Sequence, residues 1–261
     1  MDRTTLIGIV LSMVAVGVGM VLKGVEIIAL FNPAALLVIF VGTAAAVLIS
    51  FPASTIKTIP SLLRIIFMNE KNIEVEDLIE TFTQLAEKTR REGLLSLEQE
   101  IKTMDNPFLV SGLQLAVDGQ TNEFIREVML EKIDAMESRH EKGIAVFTQA
   151  GTYAPTLGVL GAVIGLIAAL QDLDDTAALG AAISAAFIAT LFGIFSGYVL
   201  WHPFASKLRE KSKKEVQIKE IMVEGILSIT NGESPSALEE KLNSYLTEKE
   251  IEAKKGDDDA A

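Results

Sequence analysis

Four stretches of this chain run without an Asp, Glu, Lys or Arg over lengths that match a lipid bilayer, and nothing else in the sequence restricts its folding as severely. Thr4–Leu22 and Ala34–Phe51 are uncharged, and residues 143–171 and 176–206 are longer runs of the same kind. A bilayer core of about 30 Å is crossed by about 20 apolar residues in a helix, because in lipid every backbone amide must be satisfied within its own segment. The sequence therefore predicts an all-α fold: a polytopic membrane protein with four transmembrane helices and a helical cytoplasmic domain. There is no convincing strand pattern or internal repeat.

The 23 basic and 35 acidic side chains are segregated accordingly. Outside residues 52–142 and 207–261 lie only Asp2, Arg3, Lys23, Glu26, Asp172, Asp174 and Asp175. Four parts follow: 1–53 with two spans, 54–142 as a cytoplasmic insertion, 143–206 with two more spans, and 207–261 as a cytoplasmic tail. The net charge of −12 gives no nucleic-acid surface. Absence of cysteine removes thiol catalysis, cysteine-ligated metals and a disulfide scaffold. No enzymatic constellation is present.

The first stretch differs from a signal peptide: its leading pair Asp2-Arg3 is net neutral, no small-x-small site follows at once, and a second span comes soon after. Asn32-Pro33 breaks the helical run between spans one and two. Orientation follows from lysine and arginine near the span ends. The 171–177 connection has no base and 23–33 has only Lys23, whereas Lys57 and Arg64 follow span two, Arg139 and Lys142 precede span three, and Lys207, Arg209, Lys211, Lys213 and Lys214 follow span four. Both termini and the insertion are therefore expected in the cytoplasm.

An insertion of about 90 residues is too long for a plain loop. Leu78, Phe82, Leu85 and Ala86 recur at helical spacing, as do Ile125, Val128, Met129, Ile133 and Met136, and in the tail Ile218, Ile221, Met222, Ile226 and Ile229. Asn231-Gly232 reads as a helix stop, and Ser234-Pro235 as an N-cap with a first-turn proline opening a short helix through Leu238, Leu242 and Leu246. Beyond Lys249 the charged, small-residue tail is expected to stay disordered. The segment Ser61-Leu-Leu-Arg-Ile-Ile-Phe-Met admits two settings, along the membrane interface or packed in the cytoplasmic bundle.

Intramembrane carboxylates usually mark ion pathways, and these spans have none. His202, at the cytoplasmic end of span four beside Trp201, reads as an interfacial anchor. Spans three and four do carry Thr148, Gln149, Thr152, Tyr153, Thr156, Ser184, Thr190, Ser196 and Tyr198, with Gly158, Gly161, Gly165 and the small-residue run at 181–186. Small residues let helix backbones approach, and hydroxyls can bridge helices. Tight packing accounts for the glycines better than for the threonines; an ion passing here needs a titrating group from another chain. Pro155 lies inside span three, where it frees a carbonyl; Pro203 reads as a stop at the end of span four.

The run from Gln149 through Pro155 to Leu166, the later Ala189-Thr190-Leu-Phe-Gly-Ile-Phe with Pro203-Phe-Ala-Ser-Lys-Leu-Arg, and Arg90-Arg-Glu-Gly-Leu-Leu-Ser-Leu-Glu98 resemble the MotA/PomA family of flagellar stator subunits, distantly related to TolQ and ExbB. The resemblance extends from Asp2 to about Leu246, including span count and insertion length. It implies a homo-oligomeric ring, a pentamer around a dimer of MotB, whose aspartate carries the ion, in the bacterial inner membrane. It implies rotor-contact roles toward FliG for Arg90 and Glu98, shared by Arg91, where the residues alone read as a solvated face. It implies ion-path and coupling roles for Pro155, Thr156, Ala162, Thr190 and Pro203. Sodium-driven relatives have a threonine where Ala162 stands; sodium needs several oxygen ligands, so the exchange points to protons as the transported ion with no cofactor, while Thr190 keeps one hydroxyl of the sodium site. Two other readings stand beside it: an ExbB- or TolQ-like energy-transducing subunit, which has one span before its large cytoplasmic region where this chain has two, and a non-conducting membrane scaffold.

Overall fold

The computed structural model describes residues 3–68, 75–171 and 176–246. Asp2, Asp172, Asp174, Asp175 and the tail beyond Lys249 lie outside them. All elements among the described residues are helical. Four of these helices are long and apolar enough to cross a membrane.

Helix α1 is Arg3–Leu22 and buries none of its residues within the subunit. Asn32 is the N-cap of the second helix, its side chain accepting from the Ala35 amide at 3.1 Å, and Pro33 takes the first position, where its missing N–H is no loss. The dipeptide is thus a start signal as well as a break. This helix, α2, runs over residues 33–50 and widens into a π-turn at Leu37–Val41. Helix α3 is Ile59–Phe67. Next come α4, Val75–Glu92, the short α5, Leu97–Ile101, and α6, Pro107–Val117. Helix α7, Asn122–Ala169, is 48 residues long with Pro155 inside it. Helix α8, Thr176–Thr230, is 55 residues long, and α9 is Pro235–Asn243.

The chain divides into two compact units. One comprises residues 1–70 and 139–211, the other 71–138 and 212–261. In the first unit, α7 and α8 meet along small residues. A Cβ added at Gly158 would lie 2.9 Å from both the Gly193 Cα and the Ala189 carbonyl oxygen, so backbone touches backbone. Val38 of α2 packs at 3.5 Å from the position a Cβ at Gly161 would take. An aromatic cluster closes one end: the Phe204 ring meets Phe67, Phe147 and Trp201 edge-on at 5.7, 6.4 and 6.3 Å. Ile66, Ile144 and Leu208 are buried with it.

The second unit is held by an aliphatic core. Ile79, Phe82, Leu113, Ile125, Met129, Ile221 and Ile226 are fully buried; Phe82, Ile125, Met129, Ile221 and Ile226 come from the helical spacings expected for α4, α7 and α8, while Leu113 comes from α6. Gly225 lies under the Phe82 ring, where a Cβ would be 2.6 Å from a ring carbon. Gly232 at φ 70° ends α8, and Ser234 caps α9 by accepting from the Ala237 amide at 3.2 Å. Leu246 is buried just beyond the end of α9. Lys241 joins Glu224 at 2.5 Å and Glu233 at 3.3 Å.

Candidate functional site

Pro155 removes the amide that would bond the carbonyl of Gly151, four residues earlier. That carbonyl oxygen faces Gly197 of α8: a Cβ on Gly197 would stand 2.8 Å from it and 2.9 Å from Cγ and Cδ of the Pro155 ring. Glycine has only a hydrogen there, which points at the freed oxygen, the geometry of a weak Cα–H···O contact. The proline ring and the carbonyl it frees are thus both seated on one residue of the neighbouring helix.

Gly197 belongs to a π-turn, Ser196–Trp201, closed by the His202 amide donating to the Gly197 carbonyl. Pro203 follows at once, and the carbonyl its ring would strike, that of Val199, lies within the widened turn. This corrects the reading of Pro203 as a stop: α8 continues through it to Thr230, because the π-turn makes room for the ring that an ordinary turn would not. His202 lies over span three, its ring 2.8 Å from where a Cβ of Gly151 would be and 5.3 Å from the Tyr198 ring. Pro155 thus seats on Gly197, and the π-turn that holds Gly197 ends one residue before His202 and two before Pro203, which is 48 positions beyond Pro155 in the sequence. Sequence reasoning counted neither glycine among the site residues. Their signal was available in the spacing, since Gly151 is the fourth residue before Pro155.

The hydroxyls are locally satisfied. Thr156 donates to the Tyr153 carbonyl at 2.7 Å and is exposed on the subunit, and Thr190 donates to the Ala186 carbonyl at 3.2 Å and is half-buried. Each keeps its oxygen lone pairs. Ala162 is half-buried and follows Gly161, which meets Ala189 beside Thr190, so the two positions lie at one level of the α7–α8 seam. In the spans, Thr43 buries its hydroxyl with no hydrogen-bond partner among the described residues.

Arg90, Arg91 and Glu98 lie in the other unit, and all three are exposed. Gly93, at φ 83°, follows α4 and separates them. Arg91 pairs with Glu87 at 3.0 Å; Arg90 and Glu98 form no ion pair among the described residues. Between them Leu95 is 68% exposed while Leu97 is fully buried, an apolar side chain amid the charges that the spacing alone did not single out. Lys88 and Glu100 pair at 2.6 Å, and that hydrogen bond raises the lysine above its ordinary range. Among the described residues no group of carboxylates and histidines is placed to hold a metal.

These features define a class: a multi-pass helical membrane subunit whose tightly packed third and fourth spans offer hydroxyls and freed carbonyls but no ionisable carboxylate. Residues 100–221 match the model of the MotA/TolQ/ExbB proton channel family, and residues 6–93 that of the motility protein A N-terminal region. Motility protein A of Bacillus subtilis is 59% identical over 250 residues, covering 96% of this chain and 93% of that protein. The flagellar MotAB stator complex of B. subtilis superposes with a TM-score of 0.91 at 58% identity, over 96% of this chain and 98% of that one. C. jejuni MotAB does so with a TM-score of 0.90 at 31% identity, over 95% and 97%. The chain belongs to the motility protein A family.

Proposed function

We propose that this chain is the larger subunit of a flagellar stator, which with MotB forms a proton-conducting channel and turns ion flow into torque on the rotor protein FliG. The single observation carrying this reading is the α7–α8 seam, where a freed carbonyl and two glycines join Pro155 to the π-turn before Pro203 while no span supplies a carboxylate. A titrating group is then required from another chain, and the solved relatives are MotAB complexes. The exposure of most of α1, which buries no residue fully, and of much of α2 suits lipid and neighbouring copies, and the assembly proposed is a pentameric ring around a MotB dimer in the inner membrane. Basic residues flanking spans two, three and four, against a nearly base-free 23–33 and 171–177, support a cytoplasmic position for both termini.

A proton reaching the partner's aspartate neutralises it and changes which subunit packs best against it. Charge movement supplies about 2.3 kcal/mol per 100 mV, enough to shift packings that differ by a few kcal/mol. In this chain the side that responds is the Pro155–Gly197 contact: Gly151 and Gly197 lack side chains, so the helices slide over one another with backbone, the proline ring and the His202 ring engaged. The π-turn and Pro203 then set the direction in which α8 continues. Arg90, Arg91 and Glu98 present the charges that engage the rotor. Ala162 in place of a hydroxyl favours protons over sodium. Chemistry on a covalent substrate plays no part.

Co-expression with MotB in cells lacking their own stators tests the reading: ion flux and rotation are expected together, and flux without rotation would favour an ExbB- or TolQ-like transducer. Arg90→Glu with Glu98→Lys is expected to abolish swimming at unchanged membrane levels; intact motility would remove the rotor-contact assignment.

A further inference from the structure

Helix α3, Ile59–Phe67, has no part in that mechanism. Its sequence admitted a place along the membrane interface or in the cytoplasmic bundle, and it packs with the ends of the spans, in the unit that holds them. Ile66 is fully buried, and Ile59, Leu62 and Leu63 pack around the same core as Ile144, Phe147 and Phe204, within the unit that holds the spans. With its apolar face turned inward, α3 cannot anchor by sinking that face into lipid as interfacial amphipathic helices do.

What it turns outward is a cationic edge. Lys57, in the turn before α3, and Ser61 and Arg64 on it follow one another at helical spacing and are all exposed. No carboxylate occurs in the sequence between Glu26 and Glu70, and neither cation has an acidic partner among the described residues. Arg64 uses its Nε–H on the Met68 sulfur at 3.0 Å, which leaves its terminal nitrogens as donors.

Other lysines hold this edge in place. Lys211 donates to the carbonyls of Ile65 and Met68 at 2.6 and 2.8 Å, satisfying carbonyls that a helix C-terminus leaves unpaired. Lys207 donates to the hydroxyls of Thr4 and Thr5 at the start of α1. The start of α1, the end of α3 and the turns after span four thus share one end of the span unit. At the end of α2, eight and nine residues before Lys57 in the chain, Ile49 is 88% and Leu48 60% exposed, apolar surface that the acyl chains of a lipid could cover.

We infer that the outer edge of α3 binds the headgroup of an anionic phospholipid, with the Arg64 guanidinium and the Lys57 ammonium donating to its phosphate and the acyl chains lying against the end of α2. A planar guanidinium matches phosphate oxygens two at a time, and an anionic leaflet attracts basic segments next to a span. The inference rests on the proposed orientation, which puts this end at the cytoplasmic leaflet.

The test uses the full assembly with its MotB partner in bilayer discs of phosphatidylcholine containing graded phosphatidylglycerol, with retained lipid counted by native mass spectrometry. Phosphatidylglycerol should be retained selectively. Lys57→Gln with Arg64→Gln should weaken that retention roughly thirtyfold, the factor expected from two cations at a lipid surface, while Lys102→Gln, exposed in the other unit, leaves it unchanged. Equal retention of the two lipids, an unchanged double variant, or displacement of the lipid by millimolar inorganic phosphate would overturn it. Because the chain has no cysteine, thiol labelling of Ser61→Cys reports its side of the membrane independently. Labelling from outside would overturn the orientation while the lipid counts still decide the binding.

Discussion

Where Gly158 meets Gly193, a hydrogen is all that fits. Each glycine's missing Cβ would fall within 3 Å of the other's backbone, and backbone, unlike a flexible side-chain end, has nowhere to move. Gly193→Leu should therefore force α7 and α8 apart at a cost of about 3 kcal/mol or more, read as a lower thermal midpoint and less protein in the membrane. Gly8→Ala, with nothing within 4 Å, should leave both unchanged. Lys241 gives a different kind of residue-scale expectation. Its hydrogen bond to Glu224 raises it above the ordinary lysine range, so its contribution is complete below that range and disappears as pH climbs through the folded-state value. Burial pushes the Tyr245 phenol up as well; there the neutral form is the favoured one in the fold, and stability again falls as pH rises. An alkaline titration of the detergent-solubilised protein should show a stability loss that Lys241→Met reduces.

At the scale of helices, local signals in the sequence were reliable. Asn231-Gly232 and Ser234-Pro235 end and begin helices as their chemistry requires, and the uncharged runs coincide with the four spanning helices. Pro203 is where a local rule failed: proline stops a helix unless the preceding turn widens, and the π-turn at Ser196–Trp201 does so. Its link to Pro155 was out of reach for another reason. The spacing from Pro155 points to Gly151, but the contact also passes through Gly197, and a residue without a side chain on another helix leaves no trace in hydrophobic periodicity. The packing of α3 with the span ends was equally hidden, because its periodicity fits any apolar surface. Pro155→Leu is expected to assemble normally, since the site is half-buried, yet to rotate poorly; loss of the protein from the membrane would instead assign the proline to packing alone. Pro203→Ala should likewise keep assembly, and if rotation stayed at the wild-type level the π-turn would have no share in coupling.

For the whole molecule, ion choice is the sharpest expectation. Replacing external sodium by potassium at a constant proton gradient should leave rotation unchanged, whereas a collapse of speed would mean that Thr190 and neighbouring carbonyls suffice for sodium without a hydroxyl at position 162. The close fit of α7 on α8 has one more consequence. Helices that touch glycine to glycine leave no aqueous route between them, and no span carries a carboxylate that could relay a proton alone. Vesicles holding this chain without its partner are therefore expected to keep a proton gradient as well as empty ones, and a faster collapse of the gradient would show that the seam leaks by itself.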